Sequence, residues 1–281
     1  MRKAYVKNNQ IALYGIMLRE VFIMYIIISV SIIVSAYMIY NQMENMSRIY
    51  SCALDGIVVW CTSSMLNLGL LPVIISVFLH MHYDIYMRNV CVIKQKSRTG
   101  MWFNEQKLSL IICSVAFTWS MILSFVLAYI MNKGNIYANV SDDLFFTNTY
   151  YGIMLSQCTD IQAGQETLIP AINIVWVIIR VWLINMLQLY MVVMAADVIY
   201  WLSGKRLFST IILSAMCMIT AIFPKSRRYA YVLGIKVKAY SYYLEALNIN
   251  VWLKHIFIML IIILLTNVVM SFIVKNKDMV M

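Results

Sequence analysis

The chain has 281 residues, of which 63% are hydrophobic and 12% charged, and its mean hydropathy is +0.79. This composition excludes an ordinary soluble domain. The formal net charge of +10 comes from 22 basic residues that stand between hydrophobic runs, so we expect the charge to orient the chain in a membrane and not to bind nucleic acid.

Six hydrophobic segments predict an all-α integral membrane protein with a single transmembrane domain over residues 1–281. The predicted spans are 21–40, 56–81, 108–131, 170–202, 207–223 and 256–274. A helix over the first segment is about 30 Å long, so we predict a retained span and no cleaved signal. Residues 1–20 mix basic and apolar side chains, which is typical of an interfacial amphipathic helix; the alternative is a frayed terminus.

The distribution of basic residues predicts the orientation. With loops on alternate sides, the N-terminus, 82–107, 203–206 and the C-terminus hold 13 basic residues against eight on the other side. The positive-inside rule then places both termini in the cytoplasm of a multi-pass cell-membrane protein. Loop 224–255 opposes this orientation because it contains six of the eight basic residues on the outer side. Its second half, however, has helical spacing and predicts an extracellular interfacial helix. Cys52 and Cys158 fall in two outer loops, where they can pair or remain free.

The segment 170–202 contains two charged residues, Arg180 and Asp197. Centring the membrane near Gln188 puts each about 13 Å from the midplane. We therefore expect Arg180 to snorkel outward and Asp197 to reach the cytoplasmic boundary. The alternative is that Arg180 lines a substrate path together with Asn173 and Gln188.

No motif of a membrane enzyme is present. The chain lacks HExxH, GxSxG and GxxxxGK[ST], so we expect no catalytic residue and no ATP hydrolysis on this chain. His80 and His82 are two residues apart and point about 200° away from each other on a helix, which disfavours a shared metal ion. We expect no metal or cofactor site.

The polar segment 82–107 joins the second and third spans. Its apolar side chains fall at helical offsets, and Asp84 can pair with Arg88 at i,i+4. Residues 97–100 predict a break, after which Trp102 and Phe103 re-enter the membrane. The connection Ser203–Arg206 reverses the chain direction in only four residues. The 26 residues of 82–107 are more than a reversal needs, and their helical pattern predicts a docking element. The alternative is a solvated basic loop that only anchors the topology.

This order of parts resembles the membrane subunit of a type-two ABC exporter: a basic surface helix, six spans, a coupling helix between spans two and three, and interfacial helices before the last span. The resemblance implies a coupling helix over Tyr83–Lys94 that docks on a separate ATPase. It assigns the contact to Tyr83, Asp84, Tyr86, Met87, Arg88, Val90 and Lys94. The chain departs from the Glu-Arg-x-x-Gly pattern of some members, since Asp84 and Arg88 have no nearby glycine.

The resemblance also implies the partners and the function. Two ATPase subunits would bind ATP and magnesium, and a second membrane subunit, identical or related, would complete the complex. Small six-span subunits of this kind resemble those that export antimicrobial peptides or give immunity to them. The expected function is export of a peptide or another amphiphile. Two alternatives are a non-transporting immunity or sensor protein and an intramembrane enzyme, which would need clustered acids or histidines within the spans.

Overall fold

The computed structural model describes residues 19–38, 41, 53–57, 66, 69–88, 98–131, 174–222 and 249–276. Within these ranges the chain forms six long helices and no strand. They are α1 (Arg19–Met38), α2 (Leu71–Arg88), α3 (Arg98–Met131), α4 (Ile174–Ser203), α5 (Arg206–Ile222) and α6 (Ile249–Asn276). A short helical turn, Ala53–Asp55, precedes α2. The prediction of an all-α protein is confirmed.

Four of the helical segments are long and apolar enough to cross a membrane: Arg19–Met38, Arg98–Met131, Ile178–Ser203 and Trp252–Lys275. Their outer faces carry bare apolar side chains; on α6, Phe257, Leu264 and Phe272 are each more than 60% exposed. Such faces are unfavourable in water and favourable in lipid. The architecture therefore indicates a membrane protein. Two shorter apolar helices, Leu71–Tyr83 and Arg206–Ala215, coincide with the other predicted spans, and the six-crossing layout stays a prediction.

Helix α4 is the centre of the bundle and packs against α2, α3, α5 and α6. Every residue from 184 to 194 is buried. Two of these, Asn185 and Gln188, are polar and fully buried, so the polar residues of α4 face neighbouring helices and not lipid. This inward orientation is the usual one for polar groups in a membrane bundle.

The connection between α4 and α5 is a tight turn. The N–H of Gly204 donates to the carbonyl of Tyr200 at 2.8 Å, and Gly204 has a φ of 67°, the left-handed conformation that commonly ends a helix. Across the turn, Ser209 Oγ donates to the carbonyl of Ala196 at 2.6 Å. The two helices are thus joined by a hydrogen bond as well as by the turn.

Helix α3 begins earlier than the sequence pattern predicts. The predicted polar hairpin ran from 82 to 107, but α2 continues to Arg88 and α3 starts at Arg98. The prediction of a break at 97–100 is wrong from Arg98 onward because these residues begin α3, while membrane re-entry at Trp102 and Phe103 stays a prediction. Trp102 is fully buried within the bundle, and Glu105 and Gln106 are buried one turn later. Polar residues in this stretch marked a protein interior and not a water-facing turn.

Candidate functional site

The carboxylate of Asp197 on α4 is the centre of a buried polar cluster, and Asp197 is fully buried. One carboxylate oxygen, Oδ1, lies 3.1 Å from Nε2 of His80 on α2. The other, Oδ2, accepts from Gln106 Nε2 at 3.1 Å and from Ser109 Oγ at 2.9 Å, both on α3. Because a carboxylate only accepts, His80 carries a proton on Nε2. One side chain therefore joins α2, α3 and α4.

The cluster extends through two tyrosines. The hydroxyl of Tyr83 lies 2.9 Å from Ser109 Oγ and 3.2 Å from the carbonyl of Glu105. Since Ser109 gives its proton to Asp197, the single O–H of Tyr83 is shared between these two acceptors. Tyr190 donates to Gln106 Oε1 at 3.0 Å. The hydrogen bonds thus continue from α2 through α3 to a second position on α4.

Glu105 is the second buried acid of the cluster and is 6% exposed. Its Oε2 accepts a hydrogen bond from the indole of Trp201 on α4. Its Oε1 has no hydrogen-bond partner among the residues that the structure describes. Glu105 is therefore much less well solvated by the protein than Asp197, which accepts three hydrogen bonds.

Aromatic side chains close the cluster from the sides. The ring of His80 stacks on Tyr200 with centroids 4.5 Å apart and an interplanar angle of 15°. Trp102 meets Trp201 edge to face at 6.0 Å, and its indole donates to Asn267 Oδ1 of α6 at 2.9 Å. These rings exclude water and lower the local dielectric constant around both acids, which strengthens the hydrogen bonds between them and their partners.

The predicted depth of Asp197 at the cytoplasmic boundary stays a prediction, but its side chain is buried between helices. The helical rise places a residue along the membrane normal but does not say which way it faces. Here Asp197 faces α2 and α3, where His80, Gln106 and Ser109 complement its charge. His80 is likewise fully buried.

Most of the predicted docking residues stand at the end of α2. The Tyr83 side chain is buried in the cluster, so it is not part of a water-facing surface. The backbone of Asp84, Tyr86, Met87 and Arg88 is helical, as predicted, while their side chains lie outside the described part. Val90 and Lys94 also lie outside the described residues. The docking role of this segment stays a prediction.

The predicted path-lining residues are not brought together by the described part of the chain. Asn173 lies outside it. Arg180 is half-buried, its guanidinium carbon lies 6.0 Å from the ring centroid of Trp252, and its carbonyl accepts from the Trp252 indole at 3.1 Å. Gln188 is fully buried within the bundle. The contact of Arg180 with α6 is compatible with either snorkelling or path lining.

Sequence reasoning missed the α3 part of the cluster, although a signal was present. Trp102, Gln106, Ser109 and Cys113 recur at intervals of three or four and form one face of a helix, and all are buried. Continuing the periodicity of the third span backward past residue 108 would have placed Glu105 and Gln106 on the interior of α3. Their partners on α2 and α4 could not be found in this way.

The arrangement limits the chemistry of the cluster. His80 and Ser109 both bind the carboxylate of Asp197, whereas a nucleophilic triad needs the imidazole between the hydroxyl and the acid. In the part of the chain that the structure describes, no three His, Cys, Asp or Glu residues are placed to hold a metal ion. Acids and a histidine are clustered, as an intramembrane enzyme would need, but without a nucleophile–base pair.

No protein-family model, curated protein or solved structure matches the chain.

Proposed function

We propose that the chain is the transmembrane subunit of an ATP-driven ABC exporter, which forms the translocation path for a peptide or another amphiphile and docks a separate ATPase. The observation that carries this proposal is the helical arm at the end of α2. Helix α2 continues past the buried Tyr83 to Arg88, and this last stretch contains the charged residues Asp84 and Arg88. A polar arm therefore continues from the apolar bundle between the second and third long helices, where an ATPase can dock.

The base of this arm is bonded to the interior of the bundle. Tyr83 donates to Ser109 of α3, and Ser109 donates to Asp197 of α4. A displacement of the arm by a partner would act first on these buried hydrogen bonds and then on α3 and α4. Buried, well-satisfied polar networks are rigid, so they transmit such a displacement with little loss. In the proposed cycle, ATP-driven movement of the ATPases would shift α3 against α4 and open the path at the interface with a second membrane subunit.

The test is co-purification of an ATPase with the tagged full-length chain, followed by substitution of the arm. We expect Asp84→Ala with Arg88→Ala, or Tyr86→Ala with Met87→Ala, to weaken ATPase binding and to uncouple ATP hydrolysis from transport in proteoliposomes. The matched control is Phe257→Ala with Phe272→Ala, two exposed apolar positions on α6, which should retain the ATPase.

Two results would contradict the proposal. Unchanged ATPase binding after both arm substitutions would exclude docking at this arm. Purification without any ATPase from the native host would favour the non-transporting alternative, an immunity or sensor protein in the membrane.

A further inference from the structure

Among the residues that the structure describes, no lysine or arginine forms an ion pair with the buried cluster. The two acids, Glu105 and Asp197, face one histidine, and neither is paired with Lys or Arg within the described residues. The basic residues at this end of α3, Arg98 and Lys107, are exposed. Two buried carboxylates with no Lys or Arg between them in the described part of the chain are strongly unfavourable, and buried acids relieve this by keeping a proton.

The hydrogen bonds decide which acid holds the proton. Asp197 accepts from His80, Gln106 and Ser109, three donors that stabilise an ionised carboxylate. Glu105 accepts only from Trp201, and its Oε1 is buried without a partner in the described part. The neutral acid is therefore more favourable at Glu105 than at Asp197.

We infer that the cluster is a proton-binding site in which Glu105 takes up one proton when α3 and α4 close and releases it when they separate. In the closed state Glu105 is a carboxylic acid and Asp197 a carboxylate bonded to His80. Separation of α3 from α4 breaks the bonds of Gln106 and Ser109 to Asp197 and admits water. The Glu105 O–H proton then passes to water as hydronium, and the electron pair stays on the carboxylate. Because proton binding and closure are linked, low pH favours the closed arrangement.

The other titratable groups around Glu105 come from two helices. From α2 these are His80 and Tyr83, and from α4 they are Tyr190, Asp197 and Tyr200. Cys113 lies on the same face of α3. Helix α6 contributes Asn267 through Trp102, and this amide does not titrate. Of these groups, His80 and Asp197 form a hydrogen-bonded pair.

The first test measures unfolding of the full-length protein in detergent as a function of pH. In the unfolded chain Glu105 ionises as an ordinary side chain, whereas the folded chain keeps its proton, so stability falls as pH rises. Glu105→Gln is neutral at every pH and should therefore remove this pH dependence of the stability. We expect the unfolding constant of the wild type, relative to that of Glu105→Gln, to rise with pH by up to about tenfold per pH unit. Parallel pH profiles would overturn the inference.

The second test observes the acid directly, and it does not depend on whether Glu105→Gln folds. The infrared spectrum of the wild type at neutral pH should show the C=O stretch of a protonated carboxyl group, and its absence would overturn the inference. Trp201→Phe removes the indole donor to this carboxyl and should shift the band to higher frequency. Glu20→Gln, at the start of α1, removes a carboxylate away from the cluster and should leave the band unchanged. If Glu20→Gln removes the band, or if Trp201→Phe does not shift it, the band arises from another carboxyl group and not from Glu105. The inference does not rest on the proposed transport function.

Discussion

At the scale of single residues, the carboxylate of Asp197 is the most connected group in the described bundle. It accepts hydrogen bonds from two other helices, and removing it would leave His80, Gln106 and Ser109 as buried donors without an acceptor. Interhelical hydrogen bonds in membrane proteins contribute about 0.6 kcal/mol each on average, while breaking a buried charge pair in a soluble protein costs about 3–5 kcal/mol.

Asp197→Ala should therefore lower the free energy of unfolding by about 2–5 kcal/mol, the lower figure being the sum of three average interhelical bonds. Reversible unfolding in mixed micelles measures this change. Asp197→Asn keeps the shape and one acceptor oxygen, so it should cost less. Ser114→Ala is the control because Ser114 Oγ bonds only the carbonyl of Leu110 on its own helix, and a change within about 0.5 kcal/mol is expected. A similarly small effect for Asp197→Ala would show that the cluster does not stabilise the bundle.

The sequence was a poor guide at this scale. It identified Asp197 as unusual because an acid in an apolar segment is rare, but the periodicity of one helix carries no information about which helix faces it. The partners of Asp197 are 88 to 117 residues away in the chain. Glu105 was assigned to a water-facing hairpin because charged residues near a span end usually face water, and its burial depends on Trp201 of α4.

At the scale of helices, the hydrophobic runs predicted the positions of the elements well. The predicted span 21–40 corresponds to α1, Arg19–Met38, and the span 256–274 lies within α6, Ile249–Asn276. A run of apolar residues is the direct requirement of a bilayer, so its position is readable from composition alone. The start of α3 could not be read in this way, because one face of its first three turns is buried in protein and contains polar residues.

The approach of the chain at Gly56 to α3 leads to a prediction at this scale. A Cβ at Gly56 would lie 2.4 Å from the carbonyl oxygen of Ser124 and 2.8 Å from Cβ of Ala128. Gly56→Ala must therefore push the segment away from α3, and such overpacking costs about 1–3 kcal/mol. Ala128→Gly should restore little of this loss because the closest contact is with main-chain oxygen. The unfolding free energies of the two single variants and the double variant test this, and full recovery in the double variant would contradict it.

At the scale of the whole molecule, the six-crossing layout predicts where its polar segments lie. The distribution of basic residues places the α2–α3 connection, which contains Cys91, in the cytoplasm, and the α3–α4 connection, which contains Cys158, outside. Single-cysteine variants that keep only one of these two residues should react differently with a membrane-impermeant maleimide. Cys158 should be labelled in intact cells, and Cys91 only after permeabilisation. Labelling of Cys91 in intact cells would show that the topology is inverted and that the arm of α2 lies beyond the reach of any ATPase.

The tight connection at Gly204 has a consequence for how the bundle can move. Helices α4 and α5 are joined by a turn and by the hydrogen bond from Ser209 to Ala196, so we expect them to move together as one rigid unit. Movement that separates α4 from α3 must carry α5 with it. A crosslink between α4 and α5 should then have no effect on this movement, whereas one between α3 and α4 should hold the protein in its closed form.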